Sequence, residues 1–213
     1  MEHELIIGKY TLESLTNGMY ASPFDLLREY IQNAVDSIDL AVKEKLELKE
    51  MLSISITVDT ANKFISIYDN GCGISEAKAV STLIDIGNSN KQRNVNRGFR
   101  GIGRLAGLGY CKKLQFITTA FGESRRTIID FDAALLKKLL LSTDGESVSV
   151  EDVMRQIISV DTETEKSKSH YFEVRLIDVA EEDGLLDVEL VNLNFLFFLT
   201  LFKSVIIQDR YHH

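Results

Sequence analysis

The sequence has no tryptophan, one proline, two cysteines and four histidines in 213 residues. Cys72 and Cys111 are too few for a disulfide framework, so packing alone must hold the fold; a chain of this length buries about 70% of its unfolded surface. That suits a reducing, cytoplasmic compartment. No export signal is expected in the sequence either, because "MEHELIIGKY" carries acidic residues where a secretory leader needs basic ones. Long apolar runs are scarce: the strongest, "LNFLFFLTLFKSVII" from Leu193 to Ile207, falls short of the roughly 20 residues that span a bilayer and is broken by Lys203. No membrane partner is expected. There is no internal repeat, and only the stretch "DTETEKSKS" is strongly biased in composition.

Negative charge is missing locally. Against a formal net charge of −8, the segment from Ile86 to Gly122 holds no Asp or Glu and carries seven cations: Lys91, Arg93, Arg97, Arg100, Arg104, Lys112 and Lys113. Such an island attracts anions, while the acidic body excludes the broad basic face that grips duplex nucleic acid. A compact anion fits, and direct nucleic-acid binding by this fragment is not expected.

What is present reads as alternating helices and strands. Ser22-Pro23 with Asp25 forms a helix start, and "FDLLREYIQNAVDSIDLAVKEKLELKE" continues for about 27 residues without Gly or Pro, burying Leu27, Ile31, Ala34 and Ile38 on one face. "LSISITV" and "FISIYD" alternate with period two around "DTANK" and predict a hairpin. A glycine loop and a short helix follow in "NGCGISEAKAVSTLIDIG". "IGRLAGLGYCKK" is expected to be helical, with Lys112 and Lys113 at its C-terminal end. "LQFITTAF" and "RRTIIDFD" predict a second strand pair, "VEDVMRQII" a short amphipathic helix, "DTETEKSKS" a solvated loop and "HYFEVRLIDV" a strand.

Three stretches carry chemistry, each beside a plainer reading. At 100° per residue, Glu29, Asn33 and Asp36 fall within about 60° of one another, opposite the apolar face. They are either a solvated stripe or a site in which Glu29 takes a proton from water and the Asn33 amide oxygen holds Mg²⁺. "YDNGCGIS" is either a strand-to-helix turn or a fixed carboxylate, Asp69, that accepts a hydrogen bond from the exocyclic amine of adenine, with Gly71 and Gly73 letting the base lie against the backbone. "RGFRGIGRLAGLGY" is either a flexible connection or a cradle in which Gly98, Gly101 and Gly103 aim backbone N–H groups at phosphate. Upstream of it, "IGNSNKQRNVNRG" has the polarity and length of a lid.

Taken in order, "LLREYIQNAVDSID", "DNGCG" and "IGNSNK" with "RGFRGIGRLAG" resemble the motifs of the GHKL superfamily, which includes Hsp90-type chaperones, type II topoisomerase ATPase subunits, MutL and MORC proteins and sensor histidine kinases. The resemblance runs from about Tyr20 to Thr119. It implies an α+β fold, the two-layer α/β sandwich called the Bergerat fold, with a mixed, mostly antiparallel sheet and helices on one face. ATP and Mg²⁺ are the implied cofactors. Glu29 is then the general base and Asn33 the Mg²⁺ ligand, with Asp36 close by. Asp69, Gly71, Gly73 and Ile74 surround the adenine. Asn88, Ser89 and Lys91 belong to the lid, and Gly98, Arg100, Gly101, Ile102 and Gly103 to the phosphate turn. Thr118 or Thr119 reaches the adenine region.

Histidine kinases of this fold usually have another residue type where Glu29 stands, and none of His3, His170, His212 or His213 lies in a phospho-accepting helix, so "EYIQNAVDSID" resembles the Hsp90 version most. One departure concerns a late-strand threonine of Hsp90 proteins, whose place Glu173 takes if "HYFEVRL" is that strand. The resemblance implies slow ATP hydrolysis whose lid closure drives conformational change in a larger protein, with downstream domains outside this chain and a nucleotide-dependent homodimer. A non-hydrolysing ATP sensor and a MutL- or MORC-like DNA-processing ATPase are the alternatives. Residues 1–180 are expected to form the ATP-binding domain and 181–213 an apolar C-terminal extension or the start of a following segment.

Overall fold

A computed structural model of the protein describes residues 22–47, 51–84, 103–141, 150–201 and 206–207. The first element is helix α1, Pro23–Glu44. The Ser22 hydroxyl caps it by accepting the N–H of Phe24 at 3.3 Å, and Lys45, in the left-handed region at φ 56°, ends it by donating to the carbonyls of Ala41 and Val42. The helix is therefore 22 residues long, shorter than the unbroken sequence pattern predicts. Leu27, Ile31, Ala34 and Ile38 are all buried.

Strands β1 (Ser53–Asp59) and β2 (Phe64–Asp69) form the expected hairpin. Its turn is closed by Asp59, whose two carboxylate oxygens accept the backbone and side-chain N–H groups of Asn62 at 2.9 and 2.7 Å. Helix α2 (Glu76–Leu83), a 3₁₀ segment (Gly103–Gly109), β3 (Lys113–Thr119) and β4 (Arg125–Asp132) follow. Then come α3 (Ala133–Leu141), α4 (Val150–Ile157), β5 (Ile158–Thr164), β6 (Tyr171–Ile177), α5 (Val188–Leu201) and β7 (Ile206–Ile207).

The strands make one sheet in the order β5-β4-β3-β6-β2-β1-β7. Every pair is antiparallel except β1 with β7. This is the mixed, mostly antiparallel α+β sandwich that the sequence implies. Register aligns the inner-facing side chains into rows. One row runs Val58, Ile65, Leu176, Leu114, Phe131 and the next Ile56, Ile67, Val174, Phe116, Ile129, all buried beneath the helices. The opposite face carries Gln115, Arg126, Asp130, Glu163, Glu173 and Arg175, joined by Gln115–Asp130, Arg126–Glu163 and Arg175–Glu173 contacts. One face is core and the other, apart from the buried Ser66, Ile117 and Thr119, carries polar groups, so a single layer of helices suffices.

Several expectations need correction. "IGRLAGLGYCKK" forms a 3₁₀ turn rather than an α-helix. The Tyr30 hydroxyl takes up two of its backbone groups, donating to the Arg104 carbonyl at 2.8 Å and accepting from the Gly107 N–H at 3.2 Å. Lys112 and Lys113 do not cap it: Lys113 opens β3, and their ammonium groups pair with Asp178 and Asp130. The first half of "DTETEKSKS" is strand, the end of β5, because it lies at the sheet edge where polar side chains still meet water. Helix α3 has no counterpart in the sequence reading; its "AALLKKLLL" pattern is too short and too uniformly apolar to fix a period. Among the described residues no helix is long and apolar enough to cross a membrane.

Beyond residue 180, Leu185 and Val191 are buried in the same core as α1 and the sheet. Leu185→Ala is expected to lower the unfolding free energy by about 2–4 kcal/mol in a single urea transition, whereas Leu193→Ala, at a side chain 64% exposed, should stay within about 0.5 kcal/mol.

Candidate functional site

The third inward-facing row breaks the apolar pattern. It runs Ile54, Asp69, Phe172, Thr118, Thr127, so a carboxyl and two hydroxyls are buried at one end of an otherwise greasy sheet. Burying a carboxyl needs compensation, and here three elements supply it.

Asp69 is 2% exposed. Its Oδ1 accepts the Gly71 N–H at 3.0 Å, and the nearby Ser37 of α1 also favours the ionised form. Ser37 also ties down the loop: its Oγ accepts the Cys72 N–H at 3.1 Å, and its carbonyl accepts the same N–H at 3.3 Å. On the other side the His170 Nδ1 lies 2.6 Å from the Gly71 carbonyl and, with an acceptor opposite, must carry the proton. Burial pushes the Asp69 carboxyl up from 3.8 to about 7, against the opposing pull of Ser37 and the Gly71 N–H. The Cys72 thiol is raised too, by burial first and then by the charges of Glu44 and Asp69.

Two glycines are dictated by this packing. A Cβ on Gly71 would lie 2.3 Å from Ser37 Oγ and 2.8 Å from Asp69 Oδ1. On Gly73, at φ +61°, it would lie 1.9 Å from the Thr119 carbonyl oxygen. Past them, the Ile74 N–H donates to Thr118 Oγ1 at 2.8 Å, and that hydroxyl donates to the Tyr171 carbonyl at 2.9 Å. Thr118 is thus the threonine on the site's face; Thr119 faces away and donates to the Arg125 carbonyl. Glu173 also lies on the far face, paired with Arg175, and the inward position beside Asp69 and Thr118 is Phe172. The expectation that Glu173 stands by the adenine is therefore corrected by strand alternation.

Helix α1 brings the remaining groups. Ser37 falls one turn after Asn33 and two after Glu29, so the contact with Asp69 turns that stripe toward the loop. Glu29 is half-buried, while Asn33 and Asp36 are exposed. Asp36 sits at the stripe's outer edge, accepting from Gln32 Nε2 at 2.9 Å. The 3₁₀ segment beginning at Gly103 is held against α1 by Tyr30. Burial lowers the Arg104 guanidinium from its ordinary value, and the charge of Glu29 opposes that shift. Arg104 and Glu29 are therefore electrostatic neighbours.

Glu29, Asn33, Asp69, Gly71, Gly73, Ile74, Thr118 and Gly103 thus lie on elements joined by direct contacts. Asn88, Ser89, Lys91, Gly98, Arg100, Gly101 and Ile102 lie outside the described residues. The cavities of about 510 and 410 Å³ lie elsewhere, the larger lined by Lys63, Tyr110, Lys137 and Asp178. No three His, Cys, Asp or Glu converge on a metal position among the described residues.

Sequence reasoning missed Ser37, Tyr30, Thr127 and His170. Ser37 was open to detection as the next i+4 position after Glu29 and Asn33. Thr127 follows from β alternation once the register is known; its buried hydroxyl has no partner among the described residues. His170 has no local signal, since its partner is 99 residues away.

The family described as "Histidine kinase-, DNA gyrase B-, and HSP90-like ATPase" matches residues 21–164. Chaperone protein HtpG of Acinetobacter baylyi is 34% identical over 84 residues, 37% of this chain and 13% of that protein. The HtpG of Mycolicibacterium gilvum is 28% identical over 140 residues, 56% of this chain and 22% of its own length. That of Anaplasma phagocytophilum is 30% identical over 117 residues, covering 49% and 18%. The chain thus spans less than a quarter of the length of these relatives.

Because the folded Asp69 keeps its proton up to about pH 7 and the unfolded one releases it near 3.8, this group's contribution to stability is complete below the lower value and is lost as pH rises through the upper. Relative to Asp69→Asn, which does not titrate, the wild-type unfolding free energy should fall by at most about 1.4 kcal/mol per pH unit across that interval and then level off. Urea unfolding of both proteins checks this; parallel curves would contradict the burial of an ionisable group at Asp69.

Proposed function

Since the chain belongs to the family of histidine kinase-, DNA gyrase B- and HSP90-like ATPases, we propose that it binds ATP between α1, the Asp69 loop and the glycine segment, and hydrolyses it slowly to ADP and phosphate. The observation that carries this reading is the buried carboxyl of Asp69, ringed by donors at the end of a strand and linked through Ser37 to the helix that bears Glu29 and Asn33. A buried acceptor of this kind suits the amine of adenine.

The reaction is a displacement at the γ-phosphorus. Water bonds to that phosphorus as the bond to the β,γ-bridging oxygen breaks; ADP takes the electron pair, and Glu29 takes the proton of the attacking water. Glu29 is placed for this because it is half-buried and has the Arg104 guanidinium as an electrostatic neighbour. Asn33, one turn on, offers its amide oxygen to Mg²⁺, which when bound neutralises phosphate charge. Backbone N–H groups of the segment 98–103 take the phosphate oxygens, with Lys91 and Arg100 adding full charge. The HtpG chaperones that this chain resembles are several times longer than the shared stretch, and by that likeness closure over ATP is coupled to movement of a larger assembly.

Glu29→Ala should keep its affinity for ATP while turnover falls by about 10²-fold or more; unchanged turnover would refute the role. Asp69→Asn should abolish binding in calorimetry, because its amide can offer the adenine amine a donor. Affinity of the wild type for ATP should rise with pH, since the acceptor form of Asp69 prevails only above about 7. Binding below that pH must release a proton, which calorimetry in buffers of differing ionisation enthalpy detects; proton-neutral binding at pH 6 would count against the assignment.

A further inference from the structure

The peptide group that joins Gly71 to Cys72 is held at both of its edges. Its carbonyl oxygen lies 2.6 Å from the Nδ1 of His170, the residue just before β6. Its N–H is donated to the Oγ of Ser37 on α1 at 3.1 Å and to the Ser37 carbonyl at 3.3 Å. The described chain has no cis peptide bond, and in a trans peptide the C=O and N–H point in opposite directions from one plane. A single plane therefore bridges the helix on one side of the loop to the start of a strand on the other.

A segment with glycines at 71 and 73 needs such a bridge. Rotation about ψ of Gly71 and φ of Cys72 turns the plane over while leaving its neighbours in place, and a residue without a Cβ offers that rotation little resistance. The two ends of the loop are anchored independently. Gly71 donates its own N–H to Asp69 Oδ1 at 3.0 Å. Ile74 donates to Thr118 Oγ1 at 2.8 Å, and that hydroxyl donates to the Tyr171 carbonyl at 2.9 Å. Between these anchors, the described bonds to the 71–72 plane are those of His170 and Ser37.

His170 is built for the task. It is 9% exposed, and its ring packs at a tilt against Phe121 with 6.0 Å between centroids. Gly71 is buried, so its carbonyl without this donor would be an unpaired acceptor in a dry place. We propose that His170 is a positioning residue for the nucleotide: by holding the Gly71 carbonyl it keeps the loop that follows Asp69 in the one orientation against which the base binds. This rests on the reading of the site as an ATP site. His170 acts through the loop at the base end, so loss of its bond weakens ligands that share the base by a common factor, whatever their number of phosphates.

The test compares the whole chain with two variants. His170→Phe keeps a ring beside Phe121 and removes the donor; His170→Asn keeps a donor, because its side-chain NH₂ takes the place of Nδ1. In calorimetry, His170→Phe should bind ATP and ADP more weakly by the same factor, about tenfold, and His170→Asn should stay within about threefold of the wild type. Unchanged affinity in His170→Phe, or an equal loss in His170→Asn, would overturn the proposal. Amide exchange in the nucleotide-free chain gives a readout that a general loss of stability does not reproduce. The Cys72 N–H, on the far edge of the clamped plane, should exchange about tenfold faster in His170→Phe relative to that of Phe116 in the middle of the sheet; equal changes at the two would count against the clamp. In the wild type, ¹⁵N NMR should find a proton on His170 Nδ1, and a ring protonated only at Nε2 overturns the proposal without any variant. A wild type that passes both NMR tests yet binds neither nucleotide sinks the ATP reading on which the proposal rests.

Discussion

One carboxyl group, buried where a strand ends, organises this part of the molecule. Asp69 occupies a place in the inner face of the sheet that an apolar residue would fill at no electrostatic cost. Its presence obliges the surrounding chain to deliver hydrogen-bond donors to a dry location. A helix, a loop and the residue before a distant strand all answer, through Ser37, the Gly71 N–H and the grip of His170 on the Gly71 carbonyl. Because the donors come from separate elements, their bonds to one another fix those elements at contact distance. The glycines follow as consequences: nothing larger fits between the hydroxyl of Ser37 and the carboxyl, or against the Thr119 carbonyl.

The same contact orients α1. A helix packed by Leu27, Ile31, Ala34 and Ile38 has some rotational freedom over a flat apolar sheet, since ridges of similar side chains settle at more than one angle. The Cys72 N–H, donated to the hydroxyl and carbonyl of Ser37, ties the row of residues 29, 33 and 37 to the Asp69 loop. Tyr30, beside Glu29, then clasps the 3₁₀ segment through its hydroxyl, so the glycine motif is docked on the same helix. On the proposed reading, base recognition and phosphate chemistry fall at different points along this helix.

The helices and strands that read clearly in the sequence are those with a strong period and definite ends. α1 has a serine-proline start and four apolar residues at helical spacing, and β1 and β2 alternate cleanly on either side of a polar turn. What stayed hidden depends on distant partners. "IGRLAGLGYCKK" carries a helical pattern, yet Tyr30, more than seventy residues earlier, takes its hydrogen bonds and holds it as a tighter turn. The edge strand β5 reads as loop because its outward residues are charged, which is what protects an edge from unwanted pairing. Asp69, Gly71 and Gly73 stood out in the sequence because a carboxylate that ends an apolar strand and is followed by glycines is unusual in its local setting. Ser37 and His170 did not, because a serine in a helix and a histidine before a strand are ordinary until the fold brings them to Asp69.

The central claim is that the α1 stripe, the Asp69 loop and the glycine segment serve one nucleotide. Backbone amide NMR during titration with a non-hydrolysable ATP analogue and Mg²⁺ tests it most directly. The resonances of Asn33, Gly71, Cys72, Gly73 and Gly103 should move together and saturate at a common ligand concentration. Shifts confined to the cavity around Lys63, Tyr110 and Lys137, with Gly71 and Cys72 unmoved, would contradict the account.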